Sequence, residues 1–74
     1  MDHYTFREGQ RLIIVAIHGS QLFKKYLLSN GLGLGTTVIC NYSPNFSQLI
    51  NFSLKGKMIS LRKRDVAKID FVEI

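Results

Sequence analysis

Arg62-Lys63-Arg64 is the densest run of charge in the chain. Three adjacent cations suit an anionic surface: nucleic-acid phosphates, anionic lipid, or the carboxylates of an acidic protein. The run belongs to a longer basic stretch. Lys55, Lys57, Arg62, Lys63, Arg64 and Lys68 against Asp65 place a net +5 within residues 55–68, equal to the formal charge of the whole chain. The bland counterpart is a solvated face that keeps a small domain soluble. Nucleic-acid barrels interleave such charge with exposed aromatics for base stacking. Here Phe52 and Phe71 are expected on inward strand faces, and Phe23 and Tyr26 on the buried stripe of a helix. Tyr4, Phe6, Tyr42 and Phe46 remain as candidate platforms, and none lies in the basic segment. Nucleic acid is therefore not the expected partner.

Other chemistries find less support. His3, His18 and Cys40 are the soft metal-ligand candidates, and they share no short spacing. Zinc and iron sites need three or four ligands. No resident metal or cofactor is expected. His18 is expected at a strand end facing water, and Cys40 as a small core residue. The five carboxylates, Asp2, Glu8, Asp65, Asp70 and Glu73, are not spaced as an acid and base pair. Nothing orients a Cys40–His18 couple. The reading is a binding or regulatory module, not an enzyme. Gly31-Leu32-Gly33-Leu34-Gly35 superficially matches a phosphate loop. Such loops run strand, glycines, helix, so that the helix N-terminus meets the phosphate. Here the helix comes first, and no lysine follows Gly35.

The elements that must hold these residues follow from pattern. A chain of 74 residues is one domain with a thin core, since at this size only about 60% of the unfolded surface is buried. Residues 11–17 are apolar on both faces and rich in β-branched side chains, which predicts a strand buried on both sides. Ser20 is an N-cap candidate for a helix over 21–29. Its apolar residues Leu22, Phe23, Tyr26 and Leu27 form two i,i+4 pairs, expected to face the core. Gly31 fits a left-handed C-terminal cap, with Leu32 folding back onto Leu27 or Leu28. A strand over 36–42 should place Thr36, Val38, Cys40 and Tyr42 on one face. Ser43-Pro44-Asn45 reads as a turn. Residues 49–54 alternate, with Ile50, Phe52 and Leu54 inward. Lys55-Gly56-Lys57 is a tight hairpin turn. The return strand carries Ile59 and Leu61 inward, residues 64–67 suit one helical turn, and the final strand carries Ile69 and Phe71. The expected fold is mainly β, a small SH3-like barrel of about five strands with one short helix inserted after the first strand. One cysteine, no signal-like start and no apolar run near membrane length predict a cytoplasmic protein that meets a membrane only through a partner.

Several segments in order resemble the FeoA family. They are Gly9-Gln10 before a strand, the helix end Leu27-Leu28-Ser29-Asn30-Gly31-Leu32, the strand entry Gly35-Thr36-Thr37-Val38, and residues 59–69. The resemblance runs from about Phe6 to Glu73. It departs at Leu34, where the family often has proline, and at residues 43–48, where the family's proline-rich loop is only partly matched. The resemblance implies an accessory protein of bacterial ferrous iron uptake that contacts the FeoB membrane permease through its cytoplasmic GTPase region. Two contact surfaces are expected on this chain. One is the exposed side of the helix and its turn, Lys24, Lys25, Leu28 and Leu32. The other is Arg62, Lys63 and Arg64. The alternatives are a small nucleic-acid-binding barrel and a domain that senses Fe(II) by transient binding. Open strand edges also offer self-association between copies.

Overall fold

The computed structural model describes residues 6–41 and 48–74. The expected turn at 43–45, and Tyr4, Tyr42 and Phe46, lie outside the described residues. The elements are β1 (Arg11–Ile17), α1 (Gln21–Ser29), β2 (Thr37–Asn41), β3 (Leu49–Leu54), β4 (Lys57–Arg62), α2 (Lys63–Val66) and β5 (Ile69–Glu73). The strands form one antiparallel sheet in the order β4-β3-β2-β1-β5, curled as an SH3-like barrel. The helix over 21–29 and the one-turn helix before the last strand both appear as expected.

Alternation sets the core. Inward positions of all five strands, Leu12 and Ile14, Val38 and Cys40, Ile50, Phe52 and Leu54, Ile59 and Leu61, and Ile69, are buried together with Leu27, Leu32 and Val66. Each fully buried side chain of this size contributes about 1.5–3 kcal/mol. Phe6, half-buried, completes a three-ring cluster: Phe52 stacks on Phe71 at 5.5 Å between centroids, and Phe6 meets both edge-on at 6.1 and 5.6 Å. Phe6 is therefore part of the packing and not a free stacking platform.

Strand β1 corrects the expectation of burial on both faces. Leu12 and Ile14 are buried, but Val15 is exposed. Two helices cannot cover both sides of this sheet, because α1 and α2 are nine and four residues long. The pairing with β5 also shifts register between Ile14 and Ala16. Such a bulge leaves a residue unpaired and bends the strand, which breaks the inward and outward alternation past Ile14.

Helix α1 is bounded as its sequence suggests. The Ser20 hydroxyl accepts from the Phe23 amide at 3.1 Å. At the other end the Leu32 amide donates to Leu27 O and the Gly31 amide to Leu28 O, at 2.9 and 3.0 Å. That pair of bonds is a Schellman motif, and it requires the left-handed backbone of Gly31, whose φ is +81°. A Cβ there would also lie 3.2 Å from Leu54 Cδ2. Gly31→Val is expected to lower stability by at least the roughly 1–2 kcal/mol of left-handed strain. A urea titration reads this as a lower midpoint, and an unchanged midpoint refutes the cap.

The β3–β4 hairpin is equally local. Leu54 pairs with Lys57 across a two-residue loop, with Lys55 at φ 49° and Gly56 at φ 82°. Positive φ at both positions is the type I′ geometry that matches strand twist.

Candidate partner-binding surface

Helix α1 docks by one row of side chains. Phe23 packs on the core with Lys68 Nζ 4.9 Å from its ring centroid, Leu27 is fully buried, and Leu32 seals the turn beyond. The parallel row, Leu22 and Tyr26, does not dock: these residues are 79% and 51% exposed. This corrects the expectation that both rows face the core. The rows are offset by one residue, about 100° around the helix, so a narrow barrel can seat one of them while the other overhangs.

The overhanging row forms one wall of a groove of about 450 Å³. Leu49 and Leu61 of β3 and β4 contribute apolar surface, and Ser60, Arg62 and Asp65 line its polar side. Leu49 and Arg62 are direct partners in the β3–β4 ladder, so the leucine and the guanidinium occupy the same end of the sheet. A second depression, of about 320 Å³, is lined by Gln48, Leu49 and the three basic residues Arg62, Lys63 and Arg64. Leu49 and Arg62 line both, which makes the apolar groove and the basic segment one continuous surface. Arg62 and Arg64 are exposed, whereas Lys63 is half-buried, its amide donating to Gln48 O at 2.9 Å.

The expected helix surface is only partly assembled. Lys24, Leu28 and, at its floor, Leu32 line a separate apolar groove of about 420 Å³ on the opposite side of α1, with Val15 and Leu34. Lys25 is exposed on the helix. Leu32, expected as a contact residue, is 2% exposed. The Schellman bond from its amide to Leu27 O turns the side chain into the core, so it supports the surface from beneath. The residues missed by sequence reasoning are Leu22, Tyr26 and Leu49. A signal was present: five apolar residues among nine, at 22, 23, 26, 27 and 28, make a stripe too wide for one short helix to bury.

Charge is unevenly compensated. Among the described residues, ion pairs join Arg7 to Glu73 at 3.0 Å and Lys68 to Asp65 at 3.5 Å, and the His18 ring hydrogen-bonds with Asp70 at 2.9 Å. Two of these lie along β5 and one at α2. Lys24, Lys25, Arg62, Lys63 and Arg64 have no carboxylate partner among the described residues. Arg11, Lys55 and Lys57 also stand outside these pairs, so unpaired positive charge is spread over β1, α1 and the β3–β4 turn and is densest at the β4–α2 junction.

Among the described residues no group of three His, Cys, Asp or Glu side chains is placed to hold a metal ion. His18 stands at the end of β1 with its ring bonded to Asp70. Cys40 is buried, and its thiol pKa is raised, first by burial and then by the negative charge of Glu8. A buried cysteine held in the thiol form is a poor nucleophile. No helix of the described residues is long and apolar enough to cross a membrane.

With this geometry in view, comparison with known proteins gives a consistent answer. The FeoA domain family matches residues 4–73. The chain belongs to the FeoA family. No curated protein matches it in sequence. Among solved structures, the FeoA fold here is similar to the FeoA protein of Chlorobium tepidum, with a TM-score of 0.85 at 15% identity, covering 100% of this chain and 70% of that one. It is also similar to a protein described as an iron uptake regulatory protein, FeoA, with a TM-score of 0.83 at 22% identity, covering 100% and 97% of the two chains. ScaR with bound Zn²⁺ shares the fold at a TM-score of 0.83 and 26% identity, over 95% of this chain. This FeoA domain spans about a third of ScaR, 34% of that chain.

Proposed function

We propose that the protein is a non-enzymatic accessory factor of ferrous iron uptake, acting in the cytoplasm by contact with the GTPase region of a FeoB-type permease. Membership of the FeoA family supports a role in ferrous iron transport. The observation that carries the contact reading is the continuous surface of Leu22, Tyr26, Leu49 and Arg62–Arg64. It pairs exposed apolar side chains with uncompensated positive charge, the combination that protein interfaces use for anchoring and steering.

Reversing the charges tests this. Arg62→Glu, Lys63→Glu and Arg64→Glu together are expected to weaken binding to the permease's cytoplasmic region by at least about tenfold. The residual binding should depend less on salt, because screening acts on the charges removed. Titration at two salt concentrations, with circular dichroism to confirm the fold, reads both effects. Unchanged affinity refutes the basic face.

One observation favours a second reading. Tyr26, expected to be buried, is exposed in the groove that Arg62 lines. An aromatic beside an arginine is a minimal platform for a nucleic-acid base. Tight RNA or DNA binding with a steep salt slope would establish it. Anaerobic equilibrium binding addresses direct Fe(II) sensing, and no uptake at micromolar iron removes it.

A further inference from the structure

The groove beside α1 has a sign as well as a shape. Asp65 is the one carboxylate among its lining residues. Lys68 Nζ lies 3.5 Å from Asp65 Oδ1 and 4.9 Å from the centre of the Phe23 ring. The lysine is thus held between α1 and α2 and offsets the charge of Asp65. Arg62 is left as the uncompensated charge of the groove, next to Leu49 and across from Leu22 and Tyr26.

We infer that this groove binds an acidic amphipathic segment of the partner, seating an apolar side chain against Leu22, Tyr26 and Leu49 and a carboxylate on Arg62. The inference rests on the protein-contact reading above and adds the chemistry of the bound segment. Each element of the groove selects for part of that chemistry. The apolar wall gains by excluding water from Leu22 and Tyr26, which the fold leaves exposed. The guanidinium offers a planar fork that matches a carboxylate in two parallel hydrogen bonds. An uncharged apolar segment would desolvate Arg62 without a partner, and a basic one would meet Arg62 and Arg64 with like charge. A nucleic acid would satisfy the charge, but of the two rings lining the groove only Tyr26 is exposed, while Phe23 is packed on the core under Lys68, and base stacking needs successive exposed rings.

The test uses the full, isotope-labelled chain and a short amphipathic peptide carrying leucine and glutamate on one helical face. Two control peptides replace glutamate with lysine or leucine with serine, and a single-stranded RNA of similar length is a third. The expected result is that the leucine–glutamate peptide shifts the amide resonances of Leu22, Tyr26, Leu49 and Arg62, and that all three controls bind at least about tenfold more weakly. Arg62→Glu and Tyr26→Ser should each reduce peptide affinity to about the level of the controls. Asp65→Asn should increase it by a factor of about three, by removing the groove's negative charge and leaving Lys68 as a second unpaired cation beside it. Shifts that fall elsewhere, equal binding of the lysine peptide, or tighter RNA binding on the same resonances overturn the inference. Its failure is separable from that of the proposed function. Permease binding with no shifts in the groove sinks the inference alone, and peptide binding in the groove with no permease binding sinks the function alone.

Discussion

Phe52→Ala is expected to lower the free energy of unfolding by about 3–5 kcal/mol. Phe52 is fully buried at the centre of β3 and pairs with Ile59 on β4 and Cys40 on β2. Its ring also stacks on Phe71 and receives the edge of Phe6. Truncation removes the transfer free energy of the ring and leaves a cavity that three strands cannot close. The change also strips Phe71 and Phe6 of the surface that orders them, which loosens β5 and the segment entering β1. At roughly 0.05–0.15 kcal/mol per residue, a domain of this length holds about 4–11 kcal/mol in total. The variant should therefore be at the edge of folding at 37 °C. Urea denaturation measures the loss, and near-ultraviolet circular dichroism reports the aromatic cluster. A loss below about 1 kcal/mol would mean that the three rings do not pack as described.

Leu32→Ala carries the second large effect, and paired with Leu28→Ala it separates a structural leucine from an exposed one. Leu32 is 2% exposed and its amide closes the α1 cap on Leu27 O, whereas Leu28 is 67% exposed. Leu32→Ala is expected to cost about 2–5 kcal/mol. Part of that loss is the seating of α1. A nine-residue helix is marginal alone in water and persists through its tertiary contacts. Leu28→Ala should change stability by no more than about 0.5 kcal/mol. Thermal unfolding of the two variants side by side decides the matter. Equal and small effects would put Leu32 back on the surface.

The consequence for function is that α1 works as a mounted edge. Its buried row, Phe23 and Leu27, and the Leu32 plug fix its position on the barrel. That fixes Leu22 and Tyr26 over the groove that Arg62 lines. Hydrophobic residues left exposed on a small domain favour aggregation unless a partner covers them. The uncompensated cations nearby limit such self-association and favour a partner of opposite charge.

Local chemistry determined much of this protein before any fold was known. The Ser20 cap, the Gly31 stop, the Lys55-Gly56 turn, the alternation of β3 and β4, and the short helix before β5 all rest on contacts within a few residues. Such contacts are written directly in the order of side chains. Cys40 as a core residue and Arg62–Arg64 as a basic run with two exposed arginines followed from the same kind of rule. What tertiary structure decided was which of two equivalent rows of α1 would dock, and what would lie opposite the other. Leu22 with Tyr26 and Phe23 with Leu27 have the same spacing, so periodicity cannot rank them. The choice depends on where the chain leaves β1 and where Lys68, 45 residues further along the chain but adjacent in space, meets Phe23. The outer face of β1 was undecidable for a related reason. Its apolar side chains would suit a covered sheet, and the shortness of both helices together with the register shift against β5 leaves Val15 in water.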